Sequence, residues 1–498
     1  APPGAEGCEA AEEPDEAAFY SGGLQHKHWV LFLCAMMIMC EWMDRSVLSI
    51  AMQPIKEEFQ LSDTEVGLMA SSSLWVVPLA ITFAGRLADY VPKARMLAVG
   101  VFGWGACTFG TGAAPSFAAV IVSRLCAGLS NCAGYPVAVS LLAEFFGPTE
   151  MTTAMGYFNA GCAVGGLLGM ALGGLLITQL GWRWAFWGVG APQLLIALLL
   201  AATVRSQRQP APKQPWASDI RQLLRLPALR YLMLASLLSG LMSGNHRFIS
   251  ALAQRLHGVD AQTVGSVMGL ALGSTGVVAA WCGGHAVDRA SRRSGCRSTL
   301  LRCAAGGDGL HLAFGTAALL MPSFGLLVLL LALAACAASL GQGVDTAVQL
   351  LAQGRRGTTQ SFLELCWALG MGVGPFLAGV LSDSLQGLSC DEGCALAQSL
   401  LVVGGLGMAL RAFSYLMAAA YLPEDLARVE AEQGCAAEEG GAPAAGGSEA
   451  AAAGCPSPQA GVNGAVGAGE AQADGCCGGA QPESASPCAT TLGRSAAA

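Results

Sequence analysis

The sequence has few charged residues and lacks the short motifs that mark common enzymes. Asp, Glu, Lys and Arg make up 12% of its 498 residues, whereas soluble globular domains carry about 25%. It contains no GxxxxGK phosphate loop, no nucleotide-binding module, no His-Glu-x-x-His motif and no nucleophile elbow. These absences argue against an enzyme, a cofactor or metal site, and direct ATP hydrolysis. Any energy that the protein uses should therefore come from an ion gradient.

Apolar residues dominate instead, at 53% of the chain, and the mean hydropathy is +0.51. This composition predicts a protein that crosses a membrane several times. The formal net charge of −8 belongs to the two ends of the chain. Residues 1–28 hold six acids against one lysine, and residues 423–498 hold ten acids against two arginines. The part between them is therefore positively charged.

Cysteine is common, with 19 residues, but most of these lie singly inside apolar runs, where cysteine acts as a small hydrophobic residue. Cys390 and Cys394 flank a polar segment that we expect outside the cytoplasm. There they either close a small disulfide or stay free. Residues 1–28 contain no apolar core flanked by basic residues, so we expect no cleavable signal peptide.

Twelve apolar segments are each near the length of about 20 residues that crosses a bilayer. The predicted spans are 29–52, 66–88, 96–114, 117–145, 152–180, 184–204, 229–252, 264–287, 300–321, 324–351, 359–385 and 395–422. We predict an all-α membrane protein with twelve transmembrane helices in two pseudo-symmetric six-helix halves. Its parts are a disordered acidic tail (1–28), a first half (29–204), a basic cytoplasmic linker (205–228), a second half (229–422) and a disordered tail rich in Ala, Gly and Glu (423–498).

Basic residues predict the orientation of these spans. They concentrate in alternate loops, near residues 93–95, 205–225, 289–297 and 355–356, whereas the opposite loops hold few. By the positive-inside rule, both termini are predicted to be cytoplasmic.

A polar segment between the second and third spans is repeated between the eighth and ninth. Residues 85–95 read GRLADYVPKAR, and residues 284–293 read GHAVDRASRR. Each copy has a glycine, an aspartate three or four residues later, and basic residues suited to an anionic membrane face. We interpret both as hinges between spans; the alternative is a pair of ordinary basic loops. The candidate residues are Gly85, Asp89, Arg95, Gly284, Asp288 and Arg289.

Glycines recur about once per helical turn in the fifth span and in the eleventh, which is the fifth span of the second half. Gly165 and Gly169 are examples in the first, and Gly370 and Gly374 in the second. Such faces either pack statically or allow helices of a transporter to slide and bend.

Charged residues inside a span are unfavourable, so each of them is a functional candidate. In the first span, Glu41, Asp44 and Arg45 are three and four residues apart. This spacing places them on one helical face, which cannot be turned to lipid. They must line a cavity or meet a partner.

The fourth span supplies such a partner in Arg124, and Asn131 and Tyr135 follow on the same helical stripe. One interpretation is a structural ion pair between Arg124 and Asp44. The other is that Asp44, with or without Glu41, exchanges a proton. A carboxylate that loses its arginine partner in one conformation changes its pKa, and this would couple protonation to the conformational change.

In the second half, the seventh span is the repeat of the first and carries Arg247, a candidate for binding an anionic headgroup. The adjacent His246 is more simply interpreted as a hydrogen-bonded interior histidine. Asp345 in the tenth span and Glu364 in the eleventh are weaker candidates, because burial in a neutral form explains them equally well.

These features resemble the major facilitator superfamily, and within it most closely the spinster-like branch. Residues 85–94 are similar to the superfamily motif Gly-x-Leu-Ala-Asp-Arg-x-Gly-Arg-Lys, although Tyr90, Pro92 and Ala94 depart from it. The likeness to spinster proteins rests on Asp44-Arg45, on Arg124 and the Glu-Phe-Phe at 144–146, on GWRWAF at 181–186 and on GPFLAGVLSD at 374–383.

The resemblance implies a transporter that works by alternating access and moves amphipathic lipid-derived solutes or organic anions, with protons as a coupling partner. It also implies that Asp89 and Asp288 pair with charges on the cytoplasmic side and stabilise the outward-open state. One position departs from the branch, since Asn131 stands where spinster-like proteins usually have a glutamate. Because asparagine does not titrate, proton coupling would depend on Asp44 or Glu41, or the protein would be a facilitator.

We therefore predict a monomeric secondary transporter, surrounded by membrane lipids, whose small-molecule or lipid substrate binds near mid-membrane between the halves. We expect no nucleic-acid partner. Two alternatives are a carrier of the same fold for small organic anions or sugars, and a receptor or scaffold that has lost transport. The sequence does not indicate which membrane holds the protein.

Overall fold

The computed structural model describes residues 23–77, 91–131, 134–146, 148–205, 224–352, 356–387 and 391–440, and in these ranges it is helical without strands. The first seven helices are α1 (Gly23–Phe59), α2 (Asp63–Trp75), α3 (Lys93–Gly112), α4 (Phe117–Ser130), α5 (Tyr135–Phe145), α6 (Pro148–Leu180) and α7 (Trp182–Thr203). The next four are α8 (Pro227–Asn245), α9 (Phe248–His257), α10 (Ala261–Ser294) and α11 (Thr299–Leu319). The last four are α12 (Phe324–Ala338), α13 (Gly343–Leu351), α14 (Arg356–Gln386) and α15 (Glu392–Gly440), and the 3-10 turn Ser339–Gln342 joins α12 to α13.

Within the described residues, six helical stretches are long and apolar enough to cross a membrane. They are the apolar parts of α6, α7, α10, α14 and α15, together with the continuous stretch from α12 to α13. The predicted fourth and seventh spans are not among them, because each is divided into two shorter helices.

Three predicted spans are interrupted. The fourth divides into α4 and α5 at Asn131, where Gly134 precedes a helix that opens with a proline. The seventh divides into α8 and α9 at His246 and Arg247. The tenth contains the 3-10 turn at Ser339–Gln342. Hydropathy alone did not predict these breaks, because the sequence around them stays largely apolar.

The helices of each half pack on one another, and two extensive helix contacts join the halves. In the first half, α1 lies along α6 and α3 along α7; in the second, α8 lies along α14 and α15. Between the halves, α2 packs on α14 and α6 packs on α10. A Cβ atom at Gly67 or Gly379 would overlap a backbone carbonyl across the first contact, and one at Gly174 or Gly265 would do so across the second. The halves therefore approach backbone to backbone.

The second polar segment is helical, so its prediction as a hinge is wrong. Gly284, Asp288 and Arg289 lie inside α10, which continues to Ser294. The helix ends at Gly295, whose φ of +62° is the left-handed conformation that stops a helix at glycine. Residues 285–294 contain neither proline nor glycine that would end it earlier. The gating role of Asp288 stays a prediction.

The first polar segment is described only in part. Gly85 and Asp89 lie outside the described residues, as does Cys390 of the predicted disulfide. Arg95 is exposed in the first turn of α3.

The first and last helices extend beyond the predicted spans, into the segments predicted to be disordered tails. α1 begins at Gly23, and Lys27 forms an ion pair with Glu150 at 2.7 Å. α15 extends to Gly440, so residues 423–440 are helical where we predicted a disordered tail. Asp425 is 1% exposed and accepts a hydrogen bond from the backbone N–H of Ala228 at 2.8 Å. This contact ties the start of the extension to the rest of the second half.

Candidate functional site

A buried ion pair joins Asp44 of α1 to Arg124 of α4. Nη1 of Arg124 donates to Oδ2 of Asp44 at 2.8 Å, and Nη2 donates to Oδ1 at 3.2 Å. The two side chains are 1% and 2% exposed. Oγ1 of Thr111 accepts from Nε and Nη2 of the arginine, and the Phe186 ring lies 4.9 Å from its Cζ. The pair is thus held on several sides and shielded from water.

A second ion pair lies one turn away on α1. Nη2 of Arg45 donates to Oε1 of Glu41 at 2.5 Å, and Nδ2 of Asn131 donates to the same oxygen at 3.0 Å. The guanidinium of Arg45 also lies 5.2 Å from the Trp42 ring. Asn131, at the break between α4 and α5, therefore holds Glu41 through a hydrogen bond from an uncharged amide group.

Arg247 approaches the same region from the second half, at the break between α8 and α9. Nη1 of Arg247 donates to the backbone carbonyl of Ala70. The backbone carbonyl of Arg247 accepts a hydrogen bond from Oγ of Ser49 at 2.6 Å. The residue is 7% exposed, and it forms no salt bridge with any residue in the described ranges. Arg247 is thus a buried cation held by neutral groups.

One small cleft connects these groups. Its volume is about 10 Å³, which is room for about one water molecule. The residues that line it are Asp44, Arg45, Leu48, Ser73, Leu74, Val77, Trp104, Arg124, Asn131 and Arg247. The cleft lies between the two halves, so a substrate could enter only after the halves move apart.

Four predicted site residues do not line this cleft. Glu41 lies behind its partners Arg45 and Asn131, which do line it. Tyr135 is 44% exposed, its ring is tilted by 51° to that of Phe158, and its hydroxyl contacts Asn159 of α6. Asp345 and Glu364 are exposed on α13 and α14, contrary to the alternative that they are buried. Electrostatic interaction still links Glu364 with Asp345 and with Arg45.

A third intramembrane ion pair, in the second half, was not predicted. Asp308 of α11 accepts hydrogen bonds from Nε and Nη2 of Arg411 of α15, at 2.8 and 2.5 Å. Nη1 of the same arginine donates to Ser239 at 3.2 Å. The rule that selected Asp44 applies equally to these two residues, because both lie inside predicted spans.

A network at one end of the bundle was also missed. This is the end formed by the α1–α2, α9–α10 and α14–α15 connections, called the outer end here because the charge pattern predicts it to be non-cytoplasmic. Asp63, fully buried at the start of α2, pairs with Lys56 at 3.0 Å and with Arg255 at 2.8 Å. Its Oδ2 also accepts from Ser382 at 2.6 Å and from Gln386 at 3.0 Å. These partners come from both halves.

The start of α2 is held a second time by α14. The Asp383 carboxylate accepts hydrogen bonds from the backbone N–H groups of Asp63, at 2.9 Å, and Thr64, at 2.7 Å. Ser62 and Glu65 form a capping box at the same helix start. The ionic partners of Asp63 are distant in sequence and lie near helix ends, where charge is common.

The pKa of Asp63 reflects these contacts. Burial raises the pKa, but hydrogen bonds from Arg255 and Ser382 and the charges of Arg255 and Lys56 outweigh it, so the pKa lies below the ordinary aspartate value. Asp63 is therefore ionised at neutral pH, and its contacts join the two halves at the outer end.

The chain is similar to known transporters. The family model described as Major Facilitator Superfamily matches residues 34–321, more than half of the chain. An MFS-type efflux pump of Mycolicibacterium smegmatis is 27% identical over 77% of this chain and 91% of its own length. A cis,cis-muconate transport protein of Acinetobacter baylyi is 30% identical over 35% of this chain and 42% of its own.

A solved structure shows the same fold. It is that of a bacterial homologue of the human lysosomal transporter spinster, in an inward-facing and unoccupied conformation. It superposes with a TM-score of 0.68 at 23% identity and covers 81% of this chain and 98% of the other. The expected twelve-helix fold is confirmed, and the likeness to spinster holds at the level of the fold. The chain belongs to the Major Facilitator Superfamily.

Proposed function

We propose that this chain is a secondary transporter for a solute with one anionic group, either an amphipathic lipid-derived molecule or an organic anion. The charge of the central cleft carries the proposal. Glu41 and Asp44 are matched by Arg45 and Arg124, and Arg247 adds a positive charge without a carboxylate partner among the described residues. A buried unpaired cation is unfavourable, and an anionic substrate group would neutralise it.

The position of Arg247 supports the same proposal. It lies where a span is broken, at the contact between the halves, and broken helices at this place form substrate sites in transporters that work by alternating access. The closed outer end and the small cleft fit one state of such a cycle. A muconate carrier among the relatives shows that organic anions are transported by proteins similar to this one.

The alternatives fit these observations less well. A neutral sugar would leave Arg247 unpaired in the occupied site. A receptor or scaffold would gain nothing from Arg247, a buried arginine without a carboxylate partner among the described residues, at the contact between its halves.

Replacing Arg247 should weaken anion transport selectively. We expect Arg247→Gln to raise the KM for a single-chain phosphate ester at least about tenfold, because a buried charge pair of substrate and protein contributes about 2–5 kcal/mol. Uptake into proteoliposomes measures this, and Arg247→Lys should retain part of the affinity.

Arg183→Gln is the matched control, because Arg183 pairs with Glu58 at the surface and both side chains are about one-third exposed. An unchanged KM in Arg247→Gln would refute the assignment of the headgroup site. If the parent moves a monocarboxylate and no phosphate lipid, the organic-anion class is selected over the lipid class.

We propose further that Glu41, and not Asp44, carries the coupling proton. Asp44 is bound through both oxygens to Arg124, whereas Glu41 uses only Oε1 for Arg45 and Asn131. Its Oε2 has no hydrogen-bond partner in the described part of the chain, so a proton can bind there with the smallest rearrangement.

Glu41→Gln should therefore remove the stimulation of uptake by an imposed pH gradient and leave gradient-independent exchange intact. Uptake of the same labelled substrate with and without the gradient measures both quantities. Stimulation that persists in Glu41→Gln would exclude Glu41 as the proton carrier. A parent protein that ignores the gradient would be a facilitator.

A further inference from the structure

A second cavity lies within the second half, separate from the central cleft. It is enclosed by α8, α9, α11, α12 and α15, and its volume is about 50 Å³. Most of its wall is apolar, formed by residues that include Met242, Ile249, Leu312, Leu331, Leu400 and Met408. None of the cavity's lining residues belongs to the central cleft.

One side of this cavity is polar. Asn245 and His311 line it and are 4% and 7% exposed. Within the part of the chain that the structure describes, neither the amide oxygen nor the amide nitrogen of Asn245, nor Nδ1 of His311, has a hydrogen-bond partner. The ring of His246 stacks on that of His311 at 5.7 Å, with the planes 2° from parallel. Buried polar atoms in native proteins are nearly always paired, so these atoms point to a missing partner.

The missing partner should be uncharged. Asp308, one turn before His311, and Arg411, one turn after Met408, neutralise each other in a two-point ion pair. Arg247 is two residues from Asn245 but lines the central cleft and not this cavity. Asn245 offers both a donor and an acceptor. A hydroxyl group can accept a hydrogen bond from the amide nitrogen and donate one to the amide oxygen, whereas a carboxylate would bring an unpaired charge into the cavity.

The wall of the cavity has few side chains where α11 packs on α15. Gly315 of α11 and Gly404 and Gly405 of α15 form part of it. A Cβ atom at Gly404 would meet nothing within 4 Å. Beside it on α15, Val402 and Leu406 are 55% and 62% exposed. In a bilayer, such apolar side chains face hydrocarbon, so a hydrocarbon chain could pass between α11 and α15.

We propose that this cavity binds a neutral single-chain amphiphile from the bilayer, with its hydroxyl end bonded to Asn245 and His311 and its chain between α11 and α15. The ligand class is a long-chain alcohol or a monoacylglycerol. This site does not depend on the transport function proposed for the central cleft.

Photolabelling of the full chain in lipid nanodiscs tests the proposal. The probes are a long-chain alcohol with a diazirine in its chain and the fatty acid of equal length with the same group. We expect the alcohol to label peptides of α11 and α15 that contain Leu312 and Leu401, in competition with unlabelled monoacylglycerol. The fatty acid should label them at least about tenfold less, because its charge has no partner there.

Two glycine variants separate the cavity from the general lipid surface. Gly404→Leu places a side chain in the cavity and should reduce labelling at least about fivefold. Gly306→Leu is the matched control, because Gly306 also lies on a helix with nothing within 4 Å of its Cβ position but does not line the cavity. Equal labelling of parent and Gly404→Leu, or labelling spread evenly over the lipid-facing helices, would overturn the proposal.

A third variant tests the polar end without filling the cavity. Asn245→Leu keeps the size of the side chain and removes both unpaired atoms. We expect the protein without probe to be as thermally stable as the parent or more so, while the stabilisation by added alcohol is lost. A stabilisation by the alcohol that equals that of the parent would show that Asn245 does not bind the hydroxyl.

Discussion

Arg124→Met is expected to abolish transport and to destabilise the protein by about 3–5 kcal/mol, the usual effect of leaving a buried charge without its partner. The partner is Asp44, which is 1% exposed and receives two hydrogen bonds from Arg124. Uptake into proteoliposomes should fall at least about a hundredfold. Thermal unfolding of the detergent-solubilised protein measures the stability separately.

The double variant Asp44→Leu/Arg124→Met separates the two interpretations of this pair. Apolar replacement of both partners often restores or raises stability. On the interpretation that these charges take part in transport, we expect the double variant to regain stability but not uptake. Recovery of both would show that the pair is only structural. Arg183→Met, which breaks a surface pair with Glu58, should change stability by less than about 1 kcal/mol.

Asp63→Asn is expected to loosen the outer end and to favour conformations in which the halves separate there. The substitution keeps the size of the side chain but removes the charge that Lys56 and Arg255 share. Two buried cations then repel each other across the contact between the halves. Hydrogen exchange measured by mass spectrometry should rise at least about tenfold at the start of α2 and in the last turns of α14.

Glu392→Gln provides the control within the same network. Glu392 also pairs with Lys56, at 2.8 Å, but its side chain is 58% exposed. Exposed pairs contribute about 0–1 kcal/mol, so exchange at the start of α2 should stay near that of the parent. Equal exchange in Asp63→Asn and the parent would show that the ionic network does not hold the outer end closed.

The direction of the pKa change of Asp63 predicts how this closure responds to acid. Burial raises the pKa, but the hydrogen bonds and charges of its partners lower it by more, so the folded-state pKa lies below the unfolded value of about 3.9. The stabilisation is complete above about pH 4 and is lost only as the pH falls through the lower folded-state value. The outer end should thus respond little to pH between 5 and 8, and any pH dependence of transport in that range must come from another group.

Some of the site could be predicted because the membrane makes charge rare. A charged side chain inside a span is unfavourable, and this predicted Glu41, Asp44, Arg45 and Arg124, which the structure joins in two pairs. The same reasoning holds for Asp308 and Arg411, which also lie inside predicted spans. By contrast, Tyr135 follows the stripe only if the fourth span is one straight helix, and the break at Asn131 turns it toward α6.

The outer-end network could not be predicted from residue type alone. Its members are charged residues near helix ends, where charge has little cost and carries little information. What brings Asp63 to Arg255 and Ser382 is the packing of α2 against α14 and of α9 beside them, which is a property of the tertiary structure. The breaks at Arg247 and Asn131 are hidden for a related reason, since hydropathy reports transfer to lipid and not backbone continuity.

The contacts between the halves also determine which glycines of the chain can be replaced by inherited mutations. At Gly67, Gly379, Gly174 and Gly265 even an alanine would meet a neighbouring backbone carbonyl, so nearly every missense change there would disturb the contact. At Gly156 or Gly276 a side chain would meet nothing within 4 Å. Two glycines that look alike in the sequence thus differ in the variation that a population can carry, and the difference is set by what lies opposite them.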